Sequence, residues 1–152
     1  MSSSLVLDPA VDGMELLQRW IACRQPGGFN ELLRTQPVLA EPGAVEVECA
    51  LDECHGNLSG ILHGGVTAAL ADVAAGAAVM TLLEPGETLL TADLQLRYLK
   101  PSQLKGNLLA RAEVTHRDGR RVIVAIRINA GSDVVAHATA SIVIRSPVLQ
   151  GL

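Results

Sequence analysis

Aromatic residues are almost missing from this sequence: Trp20, Phe29 and Tyr98 are the full set, 2% of 152 residues. Their scarcity excludes a nucleic-acid surface built on base stacking and leaves the core to aliphatic side chains and alanine. Excess positive charge is missing too. Twelve Lys and Arg face sixteen Asp and Glu, a formal net charge of −4. A general phosphate-backbone binder needs many cations to displace condensed counterions, so nucleic acid is not an expected partner. A small anionic ligand held by a few local cations remains open. The three cysteines, Cys23, Cys49 and Cys54, are odd in number and lack CxxC spacing. Neither a disulfide framework nor a zinc site is supported, and a reducing cytoplasm is the expected setting. The opening MSSSLVLDPAVDG has neither the basic start nor the apolar block of a secretory signal.

One apolar run is long enough to raise the membrane question, Gly64 to Leu83. It is rich in Ala and Gly, carries a carboxylate near its middle and has no flanking Lys or Arg cluster, so a buried soluble helix is the expectation. With 49% hydrophobic and 18% charged residues, the chain reads as one compact domain. No repeat or low-complexity block divides it.

Residues 1–43 read as a loose leader followed by short helices, and 44–152 as the main domain. MELLQRWIACRQ places Met14, Leu17 and Ile21 on one helical stripe. Pro26, Gly27 and Gly28 close that helix, and a brief helical piece follows near Asn30 to Arg34. AVEVECA alternates Val45, Val47 and Cys49 against Glu46 and Glu48, the pattern of a strand with one wet face. The apolar helix comes next, closed by Glu84, Pro85 and Gly86. Beyond it the period is two almost to the end, with turns at Asp118-Gly119 and Asn129 to Asp133. The expected class is α+β: one long helix wrapped by an antiparallel sheet.

Three features around that helix bear on chemistry. The helix is apolar on nearly every side and lined with Ala and Gly, so a second copy is expected to supply the cover a single sheet leaves out; a homodimer is the expected minimal unit. At its entrance stand His63, Gly64 and Gly65. The first N–H groups of a helix lack intrahelical partners, and there they could stabilise a carbonyl oxygen acquiring negative charge. The plainer alternative is that the two glycines merely permit a sharp turn. Asp72 is the third feature, a lone carboxylate in an apolar stretch. Burial would raise its pKa and suit it to act as base or nucleophile, while a structural Asp bonded to a Ser, Thr or backbone group is the other reading. Gly64 and Asp72 lie eight residues apart, about 12 Å along a helix axis. One helix cannot bring both to one carbonyl, but two antiparallel helices across a two-fold axis could.

Asn57, then GILHGG, then a seven-residue stretch ending at Asp72, followed by a strand and a YLKP segment, resembles the hotdog-fold acyl-CoA thioesterases of the phenylacetate-degradation type. The similarity in element order covers about Ala44 to Arg145. The resemblance implies a dimer that pairs into a tetramer, with acyl-CoA as substrate and no metal or separate cofactor. It implies that the Gly64 N–H polarises the thioester carbonyl and that Asp72 of the neighbouring subunit attacks it or directs water. Asn57 would orient the water, His63 would brace the loop or bond near the carbonyl, and Gly65 would contact substrate. Thr91 occupies the place of a family Ser or Thr, although alternation puts it on the same face as Asp93, Gln95 and Arg97. Lys100, Arg117, Arg120 and Arg121, taken as a group near the Asp118-Gly119 turn, are the expected contacts for coenzyme A phosphates. Two alternatives stay open: an enoyl-CoA hydratase or dehydratase using His63 and Asp72, and a non-catalytic acyl-CoA-binding oligomer.

Overall fold

The computed structural model describes residues 7–147, so the first part of the expected leader lies outside the described residues. Two short helices come first, α1 (Gly13–Ala22) and α2 (Gly28–Leu33). Asp12 caps α1 by accepting from the Glu15 N–H at 2.8 Å. Strands β1 (Thr35–Glu41) and β2 (Ala44–Ala50) follow, then α3 (Gly64–Met80), then β3 (Thr88–Tyr98), β4 (Asn107–Asp118), β5 (Arg121–Ala130) and β6 (Asp133–Arg145). All pairings are antiparallel, and the six strands lie in the order β1-β2-β4-β5-β6-β3. This is the hotdog architecture that the sequence resemblance implied: a sheet curled around one long helix.

One strand was not legible beforehand. Thr35–Glu41 reads TQPVLAE, with Pro37 and a register shift between Pro37 and Leu39, so it shows no clean period of two. It nevertheless pairs with β2, and the sheet therefore begins at Thr35, ahead of the domain start expected at residue 44.

The core is aliphatic apart from Trp20 of α1, as the scarcity of aromatics required. Leu70, Ala71, Ala74, Ala75, Ala77, Ala78 and Val79 of α3 meet Val45, Val47, Ala110, Ala112, Val122, Val124, Ile126, Ile128, Ala140 and Ile142 from the strands. Small side chains on both surfaces let the sheet close tightly on the helix. The chain covers α3 more fully than expected. From Val66 onward no residue of α3 is exposed in a single chain, and only a half-buried strip that includes Ala68, Ala69, Asp72, Val73 and Gly76 is incompletely covered.

The far end of α3 is tied down by the N-terminal helix. The Gly13 N–H donates to the Leu83 carbonyl at 2.9 Å, and a Cβ at Gly13 would fall 1.8 Å from the Met80 oxygen. Only glycine allows α1 to approach so closely.

Strand β3 forms an edge of the sheet, paired among the described residues only with β6. Its register shifts between Thr91 and Asp93, where Thr91 sits opposite Ile142 and Asp93 opposite Ser141. The extra residue, Ala92, reverses the alternation. Before the bulge Leu89 and Thr91 point toward α3; after it Leu94, Leu96 and Tyr98 do.

Candidate active site

The segment that delivers the start of α3 is a small loop closed on Asn57. The Asn57 side-chain oxygen accepts from the Ser59 N–H at 2.8 Å and the Ile61 N–H at 3.3 Å, while its own N–H donates to the Ile61 carbonyl at 2.8 Å. An isolated bridge between Gly56 and Leu62 completes the loop. Asn57 is thus a loop-building residue whose side-chain oxygen is already engaged. What it can still offer a reacting group is its amide NH2.

His55 lies under this loop, buried and fully used. Its Nδ1 accepts from the Asp52 N–H at 2.9 Å, which leaves Nε2 to donate to the Leu33 carbonyl at 3.1 Å. The His55 carbonyl in turn receives the His63 N–H at 2.9 Å. A buried histidine therefore fixes the height at which α3 begins.

His63 is the N-cap of α3, its Nδ1 accepting from the Gly65 N–H at 2.8 Å. Bracing the helix entry is the role the structure gives it. The Val66 N–H turns back to the His63 carbonyl at 3.0 Å. Of the three N–H groups at the helix start, Gly65 and Val66 are taken, and among the described residues no acceptor is bonded to Gly64. The Gly65 N–H is therefore engaged by His63, whereas the Gly64 N–H is free.

The glycines are not there for a sharp turn. Neither Gly64 nor Gly65 has a positive φ. What requires glycine is close approach: a Cβ on Gly64 would lie 3.1 Å from the Tyr98 hydroxyl, and one on Gly65 would lie 2.9 Å from His63 Nδ1. Tyr98 donates its hydroxyl hydrogen to the Gly64 carbonyl at 2.7 Å. The Gly64–Gly65 peptide is thus held on both sides, its oxygen by Tyr98 and its N–H by His63. Tyr98 was missed in the sequence reading.

Asp72 is half-buried on the incompletely covered strip of α3, so the full apolar enclosure expected for it is not supplied by one chain. Its Oδ1 accepts a hydrogen bond from the Thr91 hydroxyl at 2.7 Å. Thr91 does not share a face with Asp93, Gln95 and Arg97, as unbroken alternation would require. The bulge at Ala92 turns it inward to the carboxylate. One oxygen of Asp72 is oriented by the hydroxyl and the other is free to accept from water or to attack.

Within one chain Gly64 and Asp72 are not brought together, as expected of one helix, and the basic residues do not gather as a group. Gly64 and Asp72 stay eight residues apart on a single helix, about 12 Å along its axis. The basic residues divide between opposite ends of the sheet. Lys100 lies beside Gly64, in a groove of about 250 Å³ also lined by Leu62, Thr67, Tyr98 and Val135, and it is ion-paired with Asp133 at 2.8 Å. Arg117, Arg120 and Arg121 cluster at the β4–β5 turn, on the end of the sheet where Thr88 pairs with Arg145. Arg117 bonds the Gly119 carbonyl at 3.2 Å, and the Arg120 carbonyl receives the Ile144 N–H at 2.8 Å. A cavity of about 950 Å³ opens between the α1–α2 connection and β1 and includes none of the expected site residues.

Residues 59–137, more than half of the chain and spanning Gly64, Asp72, Thr91 and Tyr98, match the sequence profile described as "Thioesterase superfamily". The chain belongs to the thioesterase superfamily. Among curated relatives of this thioesterase is a Pseudomonas aeruginosa protein named "Putative esterase PA0474", 29% identical over 124 residues, which are 75% of this chain and 92% of that one. Human acyl-coenzyme A thioesterase 13 is 37% identical over 79 residues, 51% of this chain and 54% of that protein. The thioesterase thus spans about half the length of the human relative. Its fold is shared by the Escherichia coli PaaI protein from the phenylacetic acid degradation operon, with a TM-score of 0.71 at 21% identity over 78% of this chain and 84% of that one. Among the described residues no helix is long and apolar enough to cross a membrane.

Proposed function

We propose that this thioesterase hydrolyses acyl-CoA, with a small or medium acyl group, to the free acid and coenzyme A. The observation that carries the proposal is the pairing of two prepared groups on α3: one N–H left free at the helix entrance, on Gly64, and one carboxylate oriented by a hydroxyl, Asp72. The free N–H sits where the helix dipole favours negative charge, and it stabilises the oxygen of a thioester carbonyl under attack. Asp72 supplies either the attacking oxygen or the base for water.

The two groups meet in a homodimer. Edge strand β3, eleven residues long, leaves the backbone groups of about every second residue unpaired along its outer side, and antiparallel pairing with its own copy is a self-complementary way to satisfy them. Such a pair sets two α3 helices side by side in opposite directions, so that each Gly64 faces the partner's Asp72. The Arg117, Arg120 and Arg121 cluster and Lys100, at opposite ends of one chain, are the candidate contacts for coenzyme A phosphates. No separate cofactor enters this chemistry. His63 counts against a hydratase or dehydratase, because its Nδ1 is occupied in capping the helix.

Release of free thiol from a panel of acyl-CoA esters tests the reaction. Asp72→Asn keeps the acceptor oxygen but removes the charge, and its turnover should fall by about 10²- to 10⁴-fold. Undiminished turnover rejects the assignment. Shared sites are tested by mixing two inactive variants. Gly64→Pro removes the critical N–H and also crowds the Tyr98 hydroxyl, 3.1 Å from the new Cβ, at a position where helices accept proline and after a residue, His63, already extended at ψ 129. Random dimers of Gly64→Pro with Asp72→Asn restore one intact site in each mixed pair, about a quarter of wild-type activity. No recovery on mixing refutes the shared site.

A further inference from the structure

We propose that Tyr98 is a positioning residue for hydrolysis, acting through the backbone of Gly64; the inference rests on the reading of Gly64 as the donor to the thioester oxygen. Tyr98 is the last residue of β3, and its ring lies against Gly64 with the hydroxyl, Cζ and Cε1 at 3.1, 3.2 and 3.4 Å from where a Cβ would stand. Its hydroxyl hydrogen bonds the Gly64 carbonyl at 2.7 Å. That carbonyl belongs to the same peptide unit as the Gly65 N–H, which is held by His63 Nδ1 at 2.8 Å. A planar peptide gripped at its oxygen and its hydrogen has little freedom to rock. The next peptide toward the N-terminus carries the Gly64 N–H; its His63 carbonyl accepts from the Val66 N–H at 3.0 Å, and the backbone bonds of Gly64 join it to the gripped peptide.

Glycine is the residue with the largest range of such turns, so an N–H required to aim at one developing oxygen needs restraint from outside. Tyr98 supplies it. The hydroxyl fixes the neighbouring peptide, and the ring fills the space into which glycine's missing side chain would otherwise let the backbone move. Glycine at position 64 and tyrosine at position 98 thus form a matched pair: the absent Cβ admits the ring, and the ring and hydroxyl replace the rigidity that the absent Cβ gives up.

The same side chain lines the groove of about 250 Å³ next to Gly64, together with Leu62, Thr67 and Val135. Its aim at the carbonyl is therefore set beside the space that substrate must use. Because Tyr98 stands on the strand whose open edge accepts a second copy, dimer assembly and alignment of the N–H are mechanically joined.

The test is Tyr98→Phe in the full chain, which keeps the ring and removes one hydroxyl. Loss of aim should lower kcat about tenfold and leave KM within about twofold, because the N–H matters most when the oxygen carries charge. Amide exchange at Gly65 should speed up several-fold, while the melting temperature stays within about 2 °C, since the lost bond is exposed. A residue that only packs would leave both kcat and Gly65 exchange unchanged in the Phe variant, and that result overturns the proposal. Should the wild type fail to cleave any thioester, the proposed reaction falls. The exchange measurement then still decides whether Tyr98 holds the Gly64–Gly65 peptide, and unchanged exchange rejects it.

Discussion

Replacing Thr91 by valine removes one hydroxyl and almost nothing else. The two side chains have the same shape, valine favours strands, and Thr91 lies on an edge strand with, among the described residues, no other side-chain bond than the one to Asp72 at 2.7 Å. A hydrogen bond to a charged acceptor is worth roughly 1.5 to 3 kcal/mol when protected from water. Asp72 is half-buried and Thr91 exposed, so water replaces part of that, and about 1 to 1.5 kcal/mol is a reasonable net figure. At 1.36 kcal/mol per decade this is a loss of about five- to thirteenfold in kcat. KM should hardly move, because the carboxylate acts on the reacting centre and does not hold the substrate. The decisive form is a double-mutant cycle, measured as thiol release under single-substrate saturation. Thr91→Val should slow the wild type but add nothing to Asp72→Asn, since the hydroxyl works only by orienting that carboxylate. Equal slowing in both backgrounds would refute the reasoning, as would a Thr91→Val enzyme with full activity.

Two further expectations concern stability. Gly13→Ala should cost more than about 2 kcal/mol and lower the melting temperature by about 6 °C or more, because the added carbon collides with the Met80 carbonyl 1.8 Å away; a calorimetric scan unchanged from wild type would contradict the tight docking of α1. Burial of Cys49 pushes its thiol up to about 11 from an ordinary 9.0. A folded-state pKa raised above the unfolded one means that the folded chain holds its proton longer, so the contribution is complete below pH 9.0 and lost as pH climbs toward about 11. Urea melts should therefore weaken by roughly 2 to 3 kcal/mol across that window, and a Cys49→Ala variant should show a shallower decline.

How far the sequence could be read depended on how faithfully each segment obeyed a period. The long apolar helix, strand β2 and the β4–β5 and β5–β6 turns announced themselves because nothing interrupts their patterns. Strand β1 was lost to Pro37 and an irregular register. Thr91 was suspected from the family pattern yet placed on the wrong face, because a bulge moves every later side chain by one step and leaves no mark in LLTADLQL. Tyr98 was hidden for the same reason: its contact with Gly64 crosses 34 positions of sequence and depends on that bulge. The spacing of Asn57, Gly64 and Asp72 was plain, and the family resemblance assigned the acting N–H to Gly64, but what engages the Gly65 N–H was not legible. That depended on His63 turning Nδ1 toward Gly65, a matter of rotamer and not of composition.

The bulge in β3 also sets what length changes this strand can bear. Thr91 precedes it and Tyr98 follows it, one an odd and the other an even position, and only the additional residue lets both look toward the same helix. Deleting Ala92 would restore a regular ladder and turn one of the two away from α3, whichever half of the strand gave way. A straighter, better-paired ribbon would be gained at the loss of either the hydroxyl on the acid or the clasp on the helix entrance. In this strand regularity and reactivity are alternatives, and one surplus alanine decides between them.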